Sequence, residues 1–500
     1  MSTYLGLKGY SIYKDSITLN ELNTIKKDLT IKPYVPKNSM VKVESFPVFR
    51  ESNKKIYIPR FYGIKNYGKP NEIRISDGVN INLTFNGKLR DYQIPIVNKF
   101  VKYAKINGCG LLEIHTGGGK TVLALNIISQ LKKKTLIIVH KEFLLNQWVE
   151  RISEFLPNAK VGRIQGKIID IEDKDIVIGM LQSLSMKEYP SNTFSEFGLT
   201  IIDECHHILA QVFSKALFKI VTKYMLGLSA TMERKDGLTK VFKMFIGEVV
   251  VKKERPIQDN VIVKSIQYFN DNEKFSKTEL NWRGQTHYSL MIKKLCEFKP
   301  RRDFILKVLY KILNDNSNQQ IMIIGHNKNL LIYLHNEIKK SEIASVGYYL
   351  GGMKEKDLKE SESKKIIIAT YAMAEEGLDI KSLSTLIMAS PKVNVTQAVG
   401  RILRKADGEK LIIDIVDQHP IFERHWKKRK TWYNKRQFTV LRSNNIDFNK
   451  DIWIDISKKK SKKNKNLKKN KILESKKSKV NKIFNIETEV FSQGVPRFIE

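Results

Sequence analysis

The sequence predicts an α/β protein with two consecutive parallel-sheet lobes, because short apolar runs occur in two separate series. The first series is LLEI (111–114), TLIIV (135–139), DIVIG (175–179), LTIID (199–203) and MLGLSA (225–230). The second series is IMIIG (321–325), KIIIAT (365–370), TLIMA (385–389) and LIIDIV (411–416). Helical stretches between most of these runs are typical of strands buried on both faces of a parallel sheet. Two such series predict two lobes with a cleft between them.

Changes in composition divide the chain into five predicted regions. In chain order these are an N-terminal accessory domain (1–85), a first lobe (86–235), a linker or insertion (236–297), a second lobe (298–445) and a basic tail (446–500). Alternation and β-branching in Met40–Phe46 and Lys55–Pro59 indicate that the accessory domain is β-rich. The stretch from Ser457 to Lys482 holds thirteen lysines and one glutamate, which predicts a disordered tail.

The charge balance of the chain is strongly basic. Lys and Arg number 88 against 52 Asp and Glu, which leaves a formal net charge of +36. Such a surface attracts polyanions, above all nucleic acid, although a Lys- and Asn-rich composition also produces a merely solvated basic surface. The three widely spaced cysteines lack metal-binding spacing and fit a reducing compartment. Without a long apolar run or a signal-like start, the sequence predicts an intracellular, soluble protein with no membrane partner.

The most specific stretch is a glycine-rich turn between an apolar strand and a helix, LLEIHTGGGKT (111–121). Backbone N–H groups of such a turn wrap a phosphate, and the amino end of the next helix adds favourable potential. Lys120 is then expected to reach the β- and γ-phosphates, and the Thr121 hydroxyl to bind Mg²⁺. Ile114 replaces the first glycine of the full pattern, and a flexible glycine-rich loop is the alternative interpretation. The residues expected around the nucleotide are His115, Thr116, Gly117, Gly118, Gly119, Lys120 and Thr121.

Two carboxylates, Asp203 and Glu204, end the apolar run at 199–203. The carboxyl ends of parallel strands lie at the sheet edge where phosphates bind. Asp203 is suited to hold Mg²⁺, directly or through water, and Glu204 to orient and deprotonate the attacking water. An acidic pair at a strand end is often only a cap, but its place about eighty residues after the glycine-rich turn favours a catalytic role.

Taken together, these residues resemble the superfamily 2 DExH helicases over roughly residues 86 to 416. Asp203–His206 is similar to the DExH box, while the doubled His207 and Glu233–Leu238 resemble the XPB-like branch. The other matching motifs are Leu89–Gln93, Val139–Trp148, Ile178–Ser183, Gly227–Thr231, Ala369–Asp379 and Gln397–Arg404. The chain length, the short N-terminal domain with Ile58–Gly63 and the basic tail resemble the transcript-release helicases of large cytoplasmic DNA viruses, the poxvirus type included.

The resemblance implies RecA-like lobes, ATP and Mg²⁺ as cofactors, and a set of catalytic residues. Gln93 would hold adenine, and Arg401 and Arg404 would act as arginine fingers, an effect worth about 10³–10⁵ in rate. Gln397 would meet His206 across the cleft, which links closure to nucleotide state. The alternatives are surface charge on a helix for the arginines and simple packing for the histidine. The residues implied to couple hydrolysis to lobe movement are Ser229, Thr231, Gly377 and Asp379.

The family motifs also imply a nucleic-acid track that contacts mainly the phosphodiester backbone. The residues implied to line it are Lys141, Gln147, Ser183 and Thr370. The alternative interpretation of Lys141 is an ordinary solvated lysine. The stretch HWKKRKTWYNKR (425–436) combines aromatic and cationic side chains, which suits base stacking, but its helical spacing favours packing at the end of the second lobe.

The function expected from the sequence is an ATP-dependent helicase or translocase that acts on DNA or a DNA–RNA hybrid in viral transcription. The resemblance suggests 3′→5′ movement, the transcription machinery as a partner, and a location in the host cytoplasm and the virion. An RNA helicase is the first alternative, because the core motifs do not separate the substrates. A catalytically silent nucleic-acid-binding scaffold is the second, and the intact Lys120, Asp203 and Glu204 argue against it.

Overall fold

The computed structural model describes residues 1–34, 44–204, 210–231, 237–255, 260–376, 380, 382–402 and 408–457. Four predicted site residues lie outside the described residues: His206, Gly377, Asp379 and Arg404. The lysine-rich tail from residue 458 onward also lies outside them, as does the first part of the strand predicted at Met40–Phe46.

The N-terminal region forms a small sheet with two helices, which confirms the predicted β-rich domain. Its elements are β1 (Thr3–Gly6), β2 (Gly9–Tyr13), α1 (Leu19–Asp28), β3 (Thr30–Ile31), β4 (Phe46–Pro47), β5 (Arg50–Glu51), β6 (Lys55–Ile58), α2 (Arg60–Tyr67) and β7 (Glu72–Ile73). Five strands form one sheet in the order β5-β6-β2-β1-β7. Thr18 begins α1 with a capping box, since its hydroxyl accepts from the Glu21 N–H and the Glu21 carboxylate accepts from the Thr18 N–H.

The first lobe is an eight-stranded, mostly parallel sheet with helices on both faces. Its elements are α3 (Ile94–Asn107), β8 (Cys109–Ile114), α4 (Lys120–Leu131), β9 (Thr135–Val139), α5 (Glu142–Phe155), β10 (Val161–Gln165), β11 (Ile168–Ile169), β12 (Ile176–Met180), α6 (Leu181–Met186), β13 (Leu199–Ile202), α7 (Ala210–Leu217), β14 (Tyr224–Ser229), α8 (Thr239–Ile246) and β15 (Val249–Lys253). The strand order is β11-β10-β12-β9-β13-β14-β8-β15. All five residues of β9 are buried, as expected for a strand covered on both faces.

The second lobe repeats this architecture with a second eight-stranded sheet. Its elements are β16 (Val261–Tyr268), α9 (Glu273–Ser276), α10 (Tyr288–Glu297), α11 (Lys299–Asp315), β17 (Gln320–Gly325), α12 (Lys328–Ser341), β18 (Val346–Tyr349), α13 (Glu355–Glu362), β19 (Ile366–Thr370), α14 (Tyr371–Glu376), β20 (Leu383–Met388), α15 (Thr396–Ile402), β21 (Lys410–Asp417), α16 (Pro420–Lys435), β22 (Thr439–Asn444) and β23 (Ile454–Asp455). The strand order is β18-β19-β17-β20-β21-β16-β22-β23. The two sheets confirm the predicted α/β fold with tandem RecA-like lobes.

The structure differs from the predicted regions at three borders. The described residues of the predicted linker, 237–255 and 260–297, are shared between the lobes instead of forming an insertion, because β15 pairs with β8 while β16 pairs with β21 and β22. Ile81 and Leu83 pack in the core of the first lobe, although they precede residue 86. At the other end, residues 446–457 include β23, which pairs with β22 and so extends the second sheet into the predicted tail.

The basic aromatic stretch at 425–436 lies in α16 and packs against the second lobe. Trp426 and Tyr433 are buried in its core, and the Arg429 guanidinium forms two 2.8 Å hydrogen bonds to the Asp414 carboxylate. The Tyr433 hydroxyl donates to the same carboxylate at 3.1 Å. Burial alone lowers the pKa of Arg429, but Asp414 holds it above its usual value. The packing interpretation of this stretch therefore holds for Trp426 and Tyr433.

Asp414→Ala should destabilise the second lobe strongly, because it leaves the Arg429 guanidinium buried without its partner. Breaking a buried pair in this way costs about 3–5 kcal/mol. The free energy of unfolding, followed in urea by far-ultraviolet circular dichroism, measures the loss. Asp173→Asn is the matched control, since Asp173 pairs with Lys160 at the surface and should contribute little. Equal losses in the two variants would contradict the role of the buried pair.

Candidate nucleotide site between the lobes

The glycine-rich turn connects β8 to the amino end of α4. Gly117 and Gly119 have φ angles of 78° and 77°, a left-handed conformation that favours glycine. A Cβ atom at Gly119 would also lie 2.3 Å from Nε2 of Gln93. The turn therefore needs glycine at position 119 for both its backbone conformation and its close packing.

Gln93 lies behind the glycine-rich turn and is 3% exposed. Its Nε2 donates to the Gly118 carbonyl at 3.1 Å, and its Oε1 accepts from the Arg90 N–H at 2.9 Å. The Tyr92 hydroxyl donates to the same Gly118 carbonyl at 3.2 Å. Gln93 thus connects the segment before α3 to the glycine-rich turn. Tyr92 is a contact that the sequence motif did not single out.

The two carboxylates at the end of β13 meet the lysine of the glycine-rich turn. Lys120 Nζ forms an ion pair with Oε1 of Glu204. Asp203 is 7% exposed, its Oδ2 accepts from the Trp148 indole N–H at 3.0 Å, and its Oδ1 accepts from the Glu204 N–H at 2.9 Å. Burial raises the pKa of Asp203, as does the neighbouring Glu204, whereas Lys120 and the Trp148 indole oppose the shift. Trp148 therefore helps to keep this buried carboxyl ionised.

A cavity of about 870 Å³ opens between the two lobes at this point. Thr121 and Asp203 line it from the first lobe, and Met373 and Arg401 line it from the second. Hydroxyl and carboxylate oxygens are the ligands that Mg²⁺ prefers, so Thr121 and Asp203 fit a magnesium ion held together with phosphate oxygens. The described residues thus bring the predicted phosphate, metal and arginine positions to one cleft.

Arg401 lies in α15 and is 6% exposed. Its Nε donates to the Ala374 carbonyl at 2.8 Å, and an Nη donates to the Glu375 carbonyl. These bonds hold the guanidinium against α14 of its own lobe, at the wall of the cleft. Gln397 lies on the first turn of the same helix.

Arg255 connects the two halves of the site and was missed by the sequence analysis. Its guanidinium donates to the Thr116 carbonyl in the first lobe and to the Gly400 carbonyl in the second, the latter at 3.4 Å. A Cβ at Gly400 would lie 3.2 Å from Cβ of Thr116, so the lobes approach closely here. Arg436 in turn donates to the Arg255 carbonyl at 2.9 Å. A single arginine in the segment between the lobes has no motif around it that could have indicated this role.

His115 sits among these cations at the start of the glycine-rich turn. Its Nδ1 lies 3.0 Å from the Thr116 carbonyl. Burial lowers the pKa of His115, and the charges of Arg255, Arg436 and Lys120 lower it further. The hydrogen bond to the Thr116 carbonyl opposes this lowering of the His115 pKa, and the net effect favours the neutral imidazole beside these cations.

The other predicted residues lie in four places. Lys141 and Gln147 line the same cavity from the first lobe, next to the candidate nucleotide site. The Ser183 hydroxyl accepts from the Gly166 N–H at 2.9 Å, away from that wall. Thr370 ends β19 and accepts a 3.4 Å hydrogen bond from the Met373 N–H. The Ser229 hydroxyl bonds both the carbonyl and the N–H of Thr231, which fixes the turn after β14.

Two parallel-sheet lobes that share a phosphate loop, an acidic pair and an arginine at one cleft define a nucleotide-driven motor protein. Residues 86–234 match the family "Type III restriction enzyme, res subunit", and residues 305–406 match "Helicase conserved C-terminal domain". The chain belongs to the superfamily 2 helicases, a family whose members use ATP and bind nucleic acid. Every helix among the described residues is too short or too polar to cross a membrane.

Relatives of the chain come from large DNA viruses and from an archaeon. "Putative ATP-dependent RNA helicase L396" of Acanthamoeba polyphaga mimivirus is 35% identical, over 89% of this chain and 88% of that protein. "Putative ATP-dependent RNA helicase QP509L" of African swine fever virus (strain Badajoz 1971 Vero-adapted) is 28% identical, over 69% of this chain and 73% of that protein. "DNA 3'-5' translocase XPB2" of Sulfurisphaera tokodaii is 26% identical, over 71% of this chain and 89% of that protein. These matches fit the XPB-like viral branch that the motifs resemble.

Proposed function

We propose that the protein is a nucleic-acid-stimulated ATPase that moves along DNA or a DNA–RNA hybrid during viral transcription. The observation that carries the proposal is the shared cleft, where Lys120, Glu204, Asp203 and Arg401 converge from two lobes. The mimivirus and African swine fever virus relatives support a viral role, and the archaeal relative is named a DNA translocase. The transcription machinery is the proposed partner.

The first lobe would bind the triphosphate and the metal. Lys120 would leave Glu204 for the β- and γ-phosphates, because the incoming anion competes for the same ammonium group. Thr121 and Asp203 would hold Mg²⁺, which neutralises charge on the phosphate oxygens when bound. Glu204, released from Lys120, would then be free to accept a proton from the attacking water. The Lys120–Glu204 pair thus keeps the proposed base occupied until a nucleotide arrives.

The second lobe would supply the arginine that completes the site. Arg401 would exchange the Ala374 and Glu375 carbonyls for the transferring phosphoryl group, whose charge grows in the transition state. Gln397, one helical turn before Arg401, would contact the acidic motif across the cleft. Arg404 and His206 are proposed for the same site on their motifs alone. Arg255 already joins the two lobes here, so it would act as a positioning residue for closure.

The proposed nucleic-acid track runs over both lobes and contacts mainly phosphates. Lys141 and Gln147 on the first lobe, and Thr370 on the second, would bind the backbone together with Ser183. Ser229, Thr231, Gly377 and Asp379 would couple nucleotide state to this track. An RNA helicase remains a second candidate, because two of the viral relatives carry that name.

The ATPase rate of the purified full-length protein, measured with four nucleic acids in turn, tests the proposal. The four are single-stranded DNA, double-stranded DNA, single-stranded RNA and a DNA–RNA hybrid. We expect DNA or the hybrid to stimulate hydrolysis most. Stimulation by RNA alone would favour the RNA helicase instead, and a chain that binds nucleic acid without hydrolysing ATP would favour a silent scaffold.

Trp148→Phe should move the acid limb of the pH–rate profile to higher pH. Asp203 must be ionised to hold a divalent cation, so activity is lost as the pH falls through its pKa. Removing the indole N–H raises the pKa of Asp203 further above its usual value, since that hydrogen bond lowers it. The measurement is kcat against pH at saturating ATP.

Trp426→Phe is the control for this experiment, because Trp426 is equally buried but packs in the second lobe. It loses similar packing without touching Asp203. An acid limb that shifts equally in both variants would show that packing, and not the hydrogen bond to Asp203, sets the profile.

A further inference from the structure

The five-stranded N-terminal sheet has two very different faces. Tyr10, Ile12, Ile56 and Ile58 point to one face, where they form a core with residues of α1 and α2. Tyr4, Tyr13 and Tyr57 belong to the other face, because side chains alternate along each strand and cross-strand partners point the same way. The register pairs Ser11 with both Tyr4 and Tyr57, so a small side chain separates two of the rings. We call this second set, Tyr4, Tyr13 and Tyr57, the tyrosine face.

Cationic side chains stand among these rings. Lys55 Nζ lies 5.0 Å from the Tyr4 ring centre and 4.5 Å from that of Tyr13. The Arg74 guanidinium lies 4.2 Å from the Tyr4 ring centre, and Lys8 Nζ lies 5.2 Å from that of Tyr57. Hydrogen bonds from Arg74 and Lys55 lower the pKa of the Tyr13 hydroxyl. The tyrosine face therefore combines three half-buried aromatic rings with three cations.

The domain that carries this face is fixed to the first lobe on another side. The Arg60 guanidinium donates to Sγ of Cys109 and to the Lys223 carbonyl, both at 3.1 Å. These atoms lie at the amino ends of β8 and β14, at the opposite edge of the sheet from the glycine-rich turn. α2 also packs against α8. The tyrosine face is thus rigidly attached to the motor but remote from the nucleotide cleft.

We propose that the tyrosine face binds a single-stranded nucleic acid, with bases stacked on Tyr13 and Tyr57 and phosphates paired with Lys8, Lys55 and Arg74. Aromatic rings set in a sheet are a common platform for bases, and stacking tolerates any sequence. The cation–π contacts hold the rings in place before binding, which reduces the entropy lost on association.

Charge complementarity favours a nucleic acid over a protein as the occupant. Among the ion pairs of the described residues, Arg74 pairs with the Glu72 carboxylate at 2.5 Å, and Lys8 and Lys55 are the other two cations of the face. A polyanion gains electrostatic attraction at each of the three cations, and its binding also releases counterions. The aromatic rings among these cations suit bases, which present a flat π-face at each step along the strand. The motor would then hold its strand at two places, the cleft and this face.

Photo-crosslinking of the full-length protein tests the location directly. The probe is a single strand of about ten nucleotides that carries 5-iodouracil, a length within the usual range for one small binding module. DNA and RNA versions serve as separate arms, because both present the same stacking chemistry. We expect crosslinked peptides that contain Tyr13 or Tyr57 in at least one arm. Crosslinks confined to the two lobes and the tail would overturn the proposal.

Paired substitutions test the chemistry. Tyr13→Leu with Tyr57→Leu removes the aromatic rings and should weaken binding of the probe by about 5- to 150-fold per lost stacked base. Tyr13→Phe with Tyr57→Phe keeps the rings and should bind nearly as the natural protein does. Tyr34→Leu is the control for a tyrosine elsewhere in the domain, since Tyr34 is 65% exposed and lies outside the face.

Basal ATPase separates this proposal from the proposed motor function. All three variants should keep the basal rate, because the tyrosine face is remote from the cleft. If the double leucine variant binds the probe as tightly as the double phenylalanine variant, the tyrosine face serves something other than nucleic-acid binding. This conclusion holds even if nucleic acid stimulates the ATPase normally. Absence of ATPase in the natural protein would instead count against the motor function and leave the crosslinks interpretable.

Discussion

Glu204→Gln is expected to lower the rate of ATP hydrolysis by about 10²–10⁴, the usual contribution of a positioned general base. The amide keeps the size of the side chain but cannot accept the proton of the attacking water. ATP should still bind, because Lys120, Thr121 and the glycine-rich turn are unchanged. The measurement combines kcat in the presence of stimulating nucleic acid with the Kd of ATP under the same conditions.

A matched control for this substitution is Glu248→Gln. Glu248 is also in the first lobe, where its carboxylate forms an exposed ion pair with Lys243. The same loss of charge there should leave kcat unchanged. A Glu204→Gln protein that keeps near-natural turnover would remove Glu204 from the proposed chemistry and would assign the Lys120–Glu204 pair a structural role.

Arg404→Ala is expected to lower kcat by about 10³–10⁵ while the affinity for ATP changes little. An arginine finger acts mainly on charge that develops in the transition state, so its loss appears in turnover and not in ground-state binding. Arg404 lies outside the described residues, and this expectation rests on its place in the motif Gln397–Arg404. Rapid-quench kinetics and ATP binding measured on the same preparation check the prediction.

Arg401→Ala provides the comparison for that experiment. The Arg401 guanidinium donates to the Ala374 and Glu375 carbonyls. Removing Arg401 should therefore lower the melting temperature as well as kcat. Arg404→Lys should not restore the rate, because an ammonium group lacks the planar fork of a guanidinium. Equal losses of ATP affinity and turnover in Arg404→Ala would point to a ground-state contact.

The lobes could be predicted from the sequence because their strands are short, wholly apolar and separated by helices. TLIIV at 135–139 matches β9 residue for residue, and the helix predicted directly after the glycine-rich turn is α4, which begins at Lys120. β16 was missed, since Lys264, Ser265 and Gln267 interrupt its apolar pattern and the strand lies in a stretch assigned to the linker. Its pairing with β21 and β22 is a long-range contact that local pattern does not reveal.

The candidate nucleotide site was predictable only where its residues are contiguous in sequence. The motifs indicated Lys120, Asp203 and Glu204, and the structure brings them together at the cleft. Trp148 falls inside a recognised motif, yet its hydrogen bond to Asp203 depends on how α5 packs on the sheet against β9 and β12. Arg255 donates to the backbone carbonyls of Thr116 and Gly400. Every residue type has such a carbonyl, so the identity of the partner residues does not reveal the contact.

The connection between the lobes has a mechanical consequence. β15 is an edge strand of the first sheet, whereas β16 is an interior strand of the second, and seven residues separate Lys253 from Val261. The eight residue steps from Lys253 to Val261 span at most about 29 Å when fully extended, which limits how far the lobes can separate. Tension in the segment between Lys253 and Val261 acts on the second lobe through β16, which is hydrogen-bonded to β21 on one side and to β22 on the other. A force transmitted through the segment between the lobes should therefore rotate the second lobe as a rigid body before it separates a strand from the sheet. The force of each step would then reach the lobe without disrupting its sheet.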